Sequence, residues 1–280
     1  MKILSKTKGS AREYARWSVN PYLGCPHQCT YCYLQNGRSR KVLGGDVVHL
    51  KKGVVSEDHA YYLAMAEIFE HENEIRQEGG LFMSFTTDPM CGQCRDLFMH
   101  IIHETLLSSR IPVVVLTKVI DIWAHELYCA IECLNAYDYQ CPIAFGWTLT
   151  GHDEMEPNAP TNQKRIECMA FVHRGGFRVW ASIEPVIDFP SSLRMVEQAL
   201  EAGCIHFKIG LQTYGNKVLR KMYDHDECRK FIGDVMHITS GKATVYWKQS
   251  IRTFLGKEDY ARATVGYPGV VEADWNMFEL

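Results

Sequence analysis

Three cysteines, Cys25, Cys29 and Cys32, stand at C-x₃-C-x₂-C spacing in the stretch NPYLGCPHQCTYCYLQN, residues 20–36. Thiolates are soft ligands suited to zinc and to iron–sulfur clusters, and three of them fall one short of a closed tetrahedral site. The residues alone leave three readings. The cysteines are small buried hydrophobes, or part of a structural zinc site, or the ligands of a 4Fe–4S cluster with one iron open to a chelating group from outside the chain. Zinc knuckles pair two C-x₂-C units about 12–20 residues apart, whereas the next cysteine after Cys32 is Cys91. His27 lies inside the motif, and chain geometry makes it a poor companion to all three cysteines. A second pair, Cys91 and Cys94 in PMCGQC, has C-x-x-C spacing. It is open to four roles: hydrogen-atom donor, redox couple, ligands of an auxiliary metal site, or none. Cys129 and Cys133 are i, i+4 on an expected helix and read as core, and the remaining cysteines show no ligand spacing.

Such a loop needs a scaffold, and the sequence outlines one. Short apolar runs rich in Val, Ile and aromatics occupy 81–87, 112–118, 143–149, 178–184, 205–210 and 243–248, with a further strand at 17–19; runs of this kind suit strands buried on both faces. Helical stretches alternate with them. One follows Ser56 and stops at Gly79–Gly80; another follows Thr161 or Asn162 and stops at Gly175–Gly176; a third opens at Ser191 or Ser192 and stops at Gly203. Others are expected over 95–109, 122–135 and 216–236. Repeated strand–helix alternation predicts a parallel sheet with right-handed crossovers. The expected fold is α/β, a partial (β/α)₆ barrel in one domain spanning 1–280. Its core covers roughly 17–250, and a tail over 251–280 covers or closes it. Thr86, Thr87, Asp88, Lys118, Thr148, Glu184 and Lys208 stand at or near strand ends, where such a barrel gathers its chemistry.

The bulk properties narrow the class. The chain has 280 residues, 46% hydrophobic and 22% charged, with net charge −3, as in a globular protein with a sizeable core. That balance gives no footprint for a polyanion partner, although NGRSRK (36–41) and HLKK (49–52) form a local basic surface. No secretory signal and no membrane-length apolar run are present, so a cytoplasmic protein without membrane contact is expected. Eleven cysteines, an odd number, fit reduced thiols and metal ligation better than a disulfide scaffold.

C-x₃-C-x₂-C with an aromatic before the third cysteine, here Tyr31, resembles the signature of the radical S-adenosylmethionine (SAM) superfamily. Within it, CTYCYLQ (29–35), SFTTD (84–88), LTK (116–118), FGWTLT (145–150) and RIECMAFVHRGGFRVWASIEPV (165–186) resemble segments of the spore photoproduct lyase family. VWASIEPV (179–186) and VYWKQS (245–250) are also similar to phage-associated radical-SAM-like proteins. The resemblance implies that Cys25, Cys29 and Cys32 hold a 4Fe–4S cluster whose open iron chelates SAM. Reductive cleavage of SAM then yields a 5′-deoxyadenosyl radical that abstracts hydrogen. It further implies SAM contacts from Tyr33, Thr87, Lys118 and Thr148. By their strand-end positions Thr86 and Lys208 belong to the same mouth, and Asp88 or Glu184 has the chemistry to accept from the methionine ammonium. Tyr31 and Tyr33 are candidates to relay a radical. The lyase family's hydrogen-donating cysteine falls on Phe85, which cannot give up a hydrogen atom as a thiol does. Cys91 and Cys94 are the candidates to replace it.

The implied partners are a one-electron reductant such as flavodoxin or ferredoxin and, by the lyase analogy, a nucleic-acid or nucleotide substrate. A peptide or small-metabolite substrate, and a non-catalytic zinc-binding protein, are the rival readings.

Overall fold

In this computed structural model residues 2–36, 39–121, 142–213, 222–273 and 275–278 are described. The strands are β1 (Leu4–Lys6), β2 (Trp17–Val19), β3 (Tyr22–Leu23), β4 (His49–Leu50) and β5 (Leu81–Met83). They continue with β6 (Val113–Thr117), β7 (Ile143–Thr148), β8 (Arg178–Val186), β9 (His206–Leu211) and β10 (Thr244–Trp247). β3 and β4 form a small antiparallel ladder, and the other eight make one sheet in the order β1-β2-β5-β6-β7-β8-β9-β10. Within this larger sheet every pairing from β2 to β10 is parallel, and each of its strands lies beside the next one that the chain adds to it. The order therefore lacks the reversal of a doubly wound sheet. β1 is the exception: it pairs antiparallel with β2, and its short polar sequence LSK gives no strand signal.

The two faces of the sheet follow the two-residue period of a strand. Leu81, Met83, Val113, Val115, Val179 and Ala181 face the main core. Phe82, Val114, Ala144 and Trp180 face the other side, covered by Tyr14, Trp275, Met277 and Phe278. Gly146 has to be glycine here, because an added Cβ would stand 2.2 Å from Trp180 Cε2.

The helices are α1 (Glu57–Glu70), α2 (Glu72–Gln77), α3 (Arg95–Glu104), α4 (Asn162–Arg174), α5 (Phe189–Glu201), α6 (His225–Thr239), α7 (Gln249–Leu255) and α8 (Lys257–Thr264). Ser56 and Thr161 cap α1 and α4, accepting from the His59 and Lys164 N–H groups. The helix expected up to Gly79 breaks at His71, separating α1 from α2. α5 starts earlier than Ser191: Asp188 caps it, accepting from Ser191 N–H, and Pro190 fits the first turn, where no N–H is needed. The helix expected over 122–135, with Cys129, Cys133 and Cys141, lies outside the described residues, as do 216–221 of the one expected over 216–236. Among the described residues no helix is long and apolar enough to cross a membrane.

Candidate active site

The cysteine loop leaves β3 and is clamped by residues 43–47. Gly24 N–H donates to Leu43 O (3.1 Å) and Cys25 N–H to Gly45 O (2.9 Å). Gly24 has φ +85°, and a Cβ there would lie 2.3 Å from Val47 O, so only glycine allows this approach. A tight turn follows, with Cys32 N–H donating to Cys29 O at 3.0 Å and Asn36 Nδ2 closing it onto Thr30 O and Cys32 O.

All three cysteines line a cavity of about 570 Å³, bounded by the ends of the parallel strands and by the chain segment before β2. That volume suits a small molecule or cofactor. Tyr31, Tyr33, Thr86, Thr87, Asp88, Lys118, Thr148 and Glu184 share the lining, so the structure brings together eleven of the fourteen residues singled out from the sequence. Burial pushes the Cys25 thiol up to about 12. Burial also raises Cys29 and Cys32, although the Lys118 ammonium pulls both down. Among the described residues no three His, Cys, Asp or Glu side chains converge as a single metal ion requires. A 4Fe–4S cluster asks for thiolates on separate irons, and Cys25, Cys29 and Cys32 all line this one cavity.

Asp88 ties the loop to the strand ends. Its Oδ1 accepts from Thr117 Oγ1 (2.6 Å) and Met90 N–H (3.0 Å); its Oδ2 accepts from Lys118 N–H (2.8 Å) and faces His27 Nε2 at 2.9 Å. Burial alone would raise this carboxyl, but these bonds hold it below the usual range. With four partners, Asp88 is a structural tie rather than the acceptor for a ligand ammonium that the sequence suggested. His27, inside the cysteine motif, serves the same tie. Thr86 is likewise engaged, donating to Tyr22 O at 2.5 Å. Thr87 differs: its hydroxyl is buried beside the Cys94 thiol without a hydrogen bond of normal geometry.

Behind the loop lies a buried pair that the sequence did not disclose. Arg165 is fully buried and donates to Pro160 O, Thr148 O and the Glu156 carboxylate. Glu156 also receives the Tyr31 hydroxyl and stands 3.8 Å from Lys118 Nζ. One carboxylate thus serves two cations, and the wall near Cys29 and Cys32 carries a surplus positive charge. The Lys118 ammonium is beyond hydrogen-bond reach of Glu156 and keeps donor capacity for an anion. Tyr31 and Tyr33 both line the cavity with their hydroxyls committed, Tyr31 to Glu156 and Tyr33 to Phe85 O.

The opposite wall is built from Tyr14, Ser182, Glu184 and Lys248. Glu184 sits where the β8–β9 register shifts, between Ile183 and Val186, and its Oε2 receives Tyr14 Oη and Lys248 Nζ. Lys248 follows β10 and was missed, because one lysine after a strand has no spacing to mark it.

Three residues depart from expectation. Lys208 does not line the cavity: its ammonium is buried mid-strand, donating to Glu13 O (2.7 Å) and Tyr14 O (3.3 Å). Cys91 and Cys94 do not overhang the mouth. They pack in the main core at the start of α3, 4% and 1% exposed, because the chain after Asp88 turns inward to begin the helix.

No protein-family model and no curated protein matches the sequence. Among solved structures, the fold is similar to the crystal structure of Streptococcus suis SuiB bound to S-adenosylmethionine. The TM-score is 0.56 at 12% identity, covering 87% of this chain and 53% of the other. The chain therefore spans about half the length of that protein, and the likeness is one of fold.

Proposed function

We propose that this chain is a radical SAM enzyme on a partial (β/α) barrel. Cys25, Cys29 and Cys32 hold a 4Fe–4S cluster, and the rest of the cavity takes SAM and the group it attacks. The observation that carries the reading is the meeting of three loop thiols with Lys118, Thr87 and Thr148 in one cavity at the ends of parallel strands. The likeness of fold to a protein bound to S-adenosylmethionine supports it. When bound, a reduced cluster with one open iron supplies the electron that splits SAM into methionine and a 5′-deoxyadenosyl radical.

The chain's own part is positioning. The Lys118 ammonium pairs with the SAM carboxylate, in a wall whose surplus positive charge also offsets the thiolates. The Thr87 and Thr148 hydroxyls bind ribose or amino groups, and Glu184, whose two donors both fall on Oε2, offers its other oxygen to the methionine ammonium. Phe85 and Tyr33 shield this space from water. The substrate we favour is a nucleotide or nucleic acid; Lys8 on the lining and exposed Arg40 and Lys41 between the lining residues Ser39 and Leu43 make a basic rim suited to phosphate. The electron comes from a one-electron donor protein such as flavodoxin or ferredoxin.

The test is anaerobic reconstitution with iron and sulfide, reduction, addition of SAM and assay of 5′-deoxyadenosine, with Cys29→Ala as control. Expected are about four irons per chain, an EPR signal that SAM shifts, and 5′-deoxyadenosine that the variant does not form. One bound zinc and intact SAM would establish the metal-binding reading instead.

A further inference from the structure

The C-x-x-C pair has no part in the cavity, yet its geometry is specific. Cys91 Sγ and Cys94 Sγ lie 3.1 Å apart, about 1 Å more than a disulfide bond. The residues between them, Gly92 and Gln93, are exposed, and nothing lies within 4 Å of where a Gly92 Cβ would stand. The thiols pack in the main core, and the turn between them lies at the surface. Cys94 Sγ also donates to Asp88 O at 3.2 Å, and Cys91 N–H donates to the same oxygen at 3.3 Å. The pair therefore closes the turn whose side chain ties the cysteine loop to the strand ends.

We propose that Cys91 and Cys94 form a redox-active dithiol that exchanges with disulfides, closing reversibly into a bond at the base of the Asp88 turn. The Cys94 S–H, shared between Asp88 O and the Cys91 sulfur, lowers the pKa of Cys91, while Cys94, beside backbone carbonyls and buried, keeps its proton. Cys91 is accordingly the attacking thiolate. It breaks the S–S bond of an incoming disulfide, forming a mixed disulfide and releasing one thiol. Cys94 then loses its proton, attacks Cys91 Sγ and releases the second thiol. Two cysteine thiols are oxidised to one disulfide, and the partner disulfide is reduced to two thiols. Oxidation removes the S–H donor from Asp88 O, so the redox state acts on the turn that presents Thr87 and Asp88. This inference stands whether or not the cavity holds a cluster.

The full chain, free of iron, is equilibrated anaerobically in buffers of reduced and oxidised glutathione, alkylated and digested with trypsin. The peptide from Gln77 to Arg95 contains these two cysteines and no others, so its mass reads the pair directly. The expected result is replacement of the doubly alkylated peptide by an unlabelled one two hydrogens lighter. Its fraction should follow the ratio of oxidised glutathione to the square of reduced glutathione, and dithiothreitol should restore the first form. In Cys94→Ser the resolving thiol is gone, and a glutathione adduct on Cys91 should take the place of the bridge. The proposal is overturned if both wild-type thiols stay alkylatable in fully oxidised buffer, or if the wild type stops at a glutathione adduct. It is equally overturned if the pair is blocked by a bound metal that chelation releases.

Discussion

At the scale of single residues, Lys118 separates a ligand-binding cavity from a merely polar one. Lys118→Met removes a buried ammonium that faces the cavity while leaving the cysteines in place. Loss of a charge-assisted bond of about 1.5–3 kcal/mol should weaken SAM binding roughly 10- to 150-fold, with iron and sulfide content unchanged. Calorimetric titration of the reconstituted protein checks this; unaltered affinity would remove Lys118 from the SAM site. Lys208, chosen from the same strand-end pattern, answers to a different test. Burial, with the nearby Lys248 cation, pushes its pKa down to about 7, below the unfolded value of about 10.4. Between those values the unfolded chain binds more protons than the folded one, so Lys208 makes stability rise with pH from about 7 to about 10. In Lys208→Met that rise should be missing, a difference on the order of 4 kcal/mol across the range, measured by urea denaturation at several pH values. A much smaller difference would mean that the Glu13 and Tyr14 carbonyls and the flanking tyrosine rings hold the proton after all. Lys118 and Lys208 looked alike in the sequence. The distinction is one of strand register and facing side chains, and neither is written in a local motif.

At the scale of elements, the cysteine loop is positioned by α4 and the residues before it more than by its own strand. Arg165 reaches back from α4 to Thr148 O and Glu156, and Glu156 in turn takes the Tyr31 hydroxyl between Cys29 and Cys32. Removing one partner strands the other charge in the interior, so Arg165→Met and Glu156→Gln should each cost about 3–5 kcal/mol. The double variant should cost less than the sum, because the two changes remove one interaction; denaturation of all three variants gives the coupling. Full additivity would mean that the pair does not act as a unit. The sequence disclosed the helix, through Thr161 at its start and Gly175 at its end, since caps are local chemistry. It did not disclose that Arg165 faces inward, because an arginine on a helix is ordinarily solvated. The same limit explains β1: three residues with one apolar side chain become a strand only because β2 offers its free edge, with Leu4 opposite Val19.

At the scale of the whole molecule, the order of the sheet was legible and its covering was not. Buried parallel strands announce themselves as short apolar runs between helices: β5, β6, β7 and β10 fall within the expected segments, while β8 runs on to Val186 and β9 to Leu211. What covers the face away from the main core depends on contacts between distant parts of the chain: Tyr14 from before β2, and Trp275 and Met277 from beyond α8, meet Phe82 and Trp180 from the strands. Trp275 also lies against His206, with ring centroids 4.6 Å apart. If these residues are core rather than a loosely laid strap, Met277→Ala should cost about 2–5 kcal/mol, as truncation of a buried methionine does. Chymotrypsin should then cut at Trp275 faster in the variant than in the wild type, since cleavage reads the opening of the segment. A change near zero, with Trp275 cut equally fast in both, would mean that this face tolerates loss of its cover. The sheet and cavity would then have to owe their stability to the helical side alone. The expected cost places the tail within the same cooperative unit as the strands that end at the cavity, so that damage at Met277, far from the cysteines along the chain, reaches the site through Phe82 and its stacked neighbour Phe85.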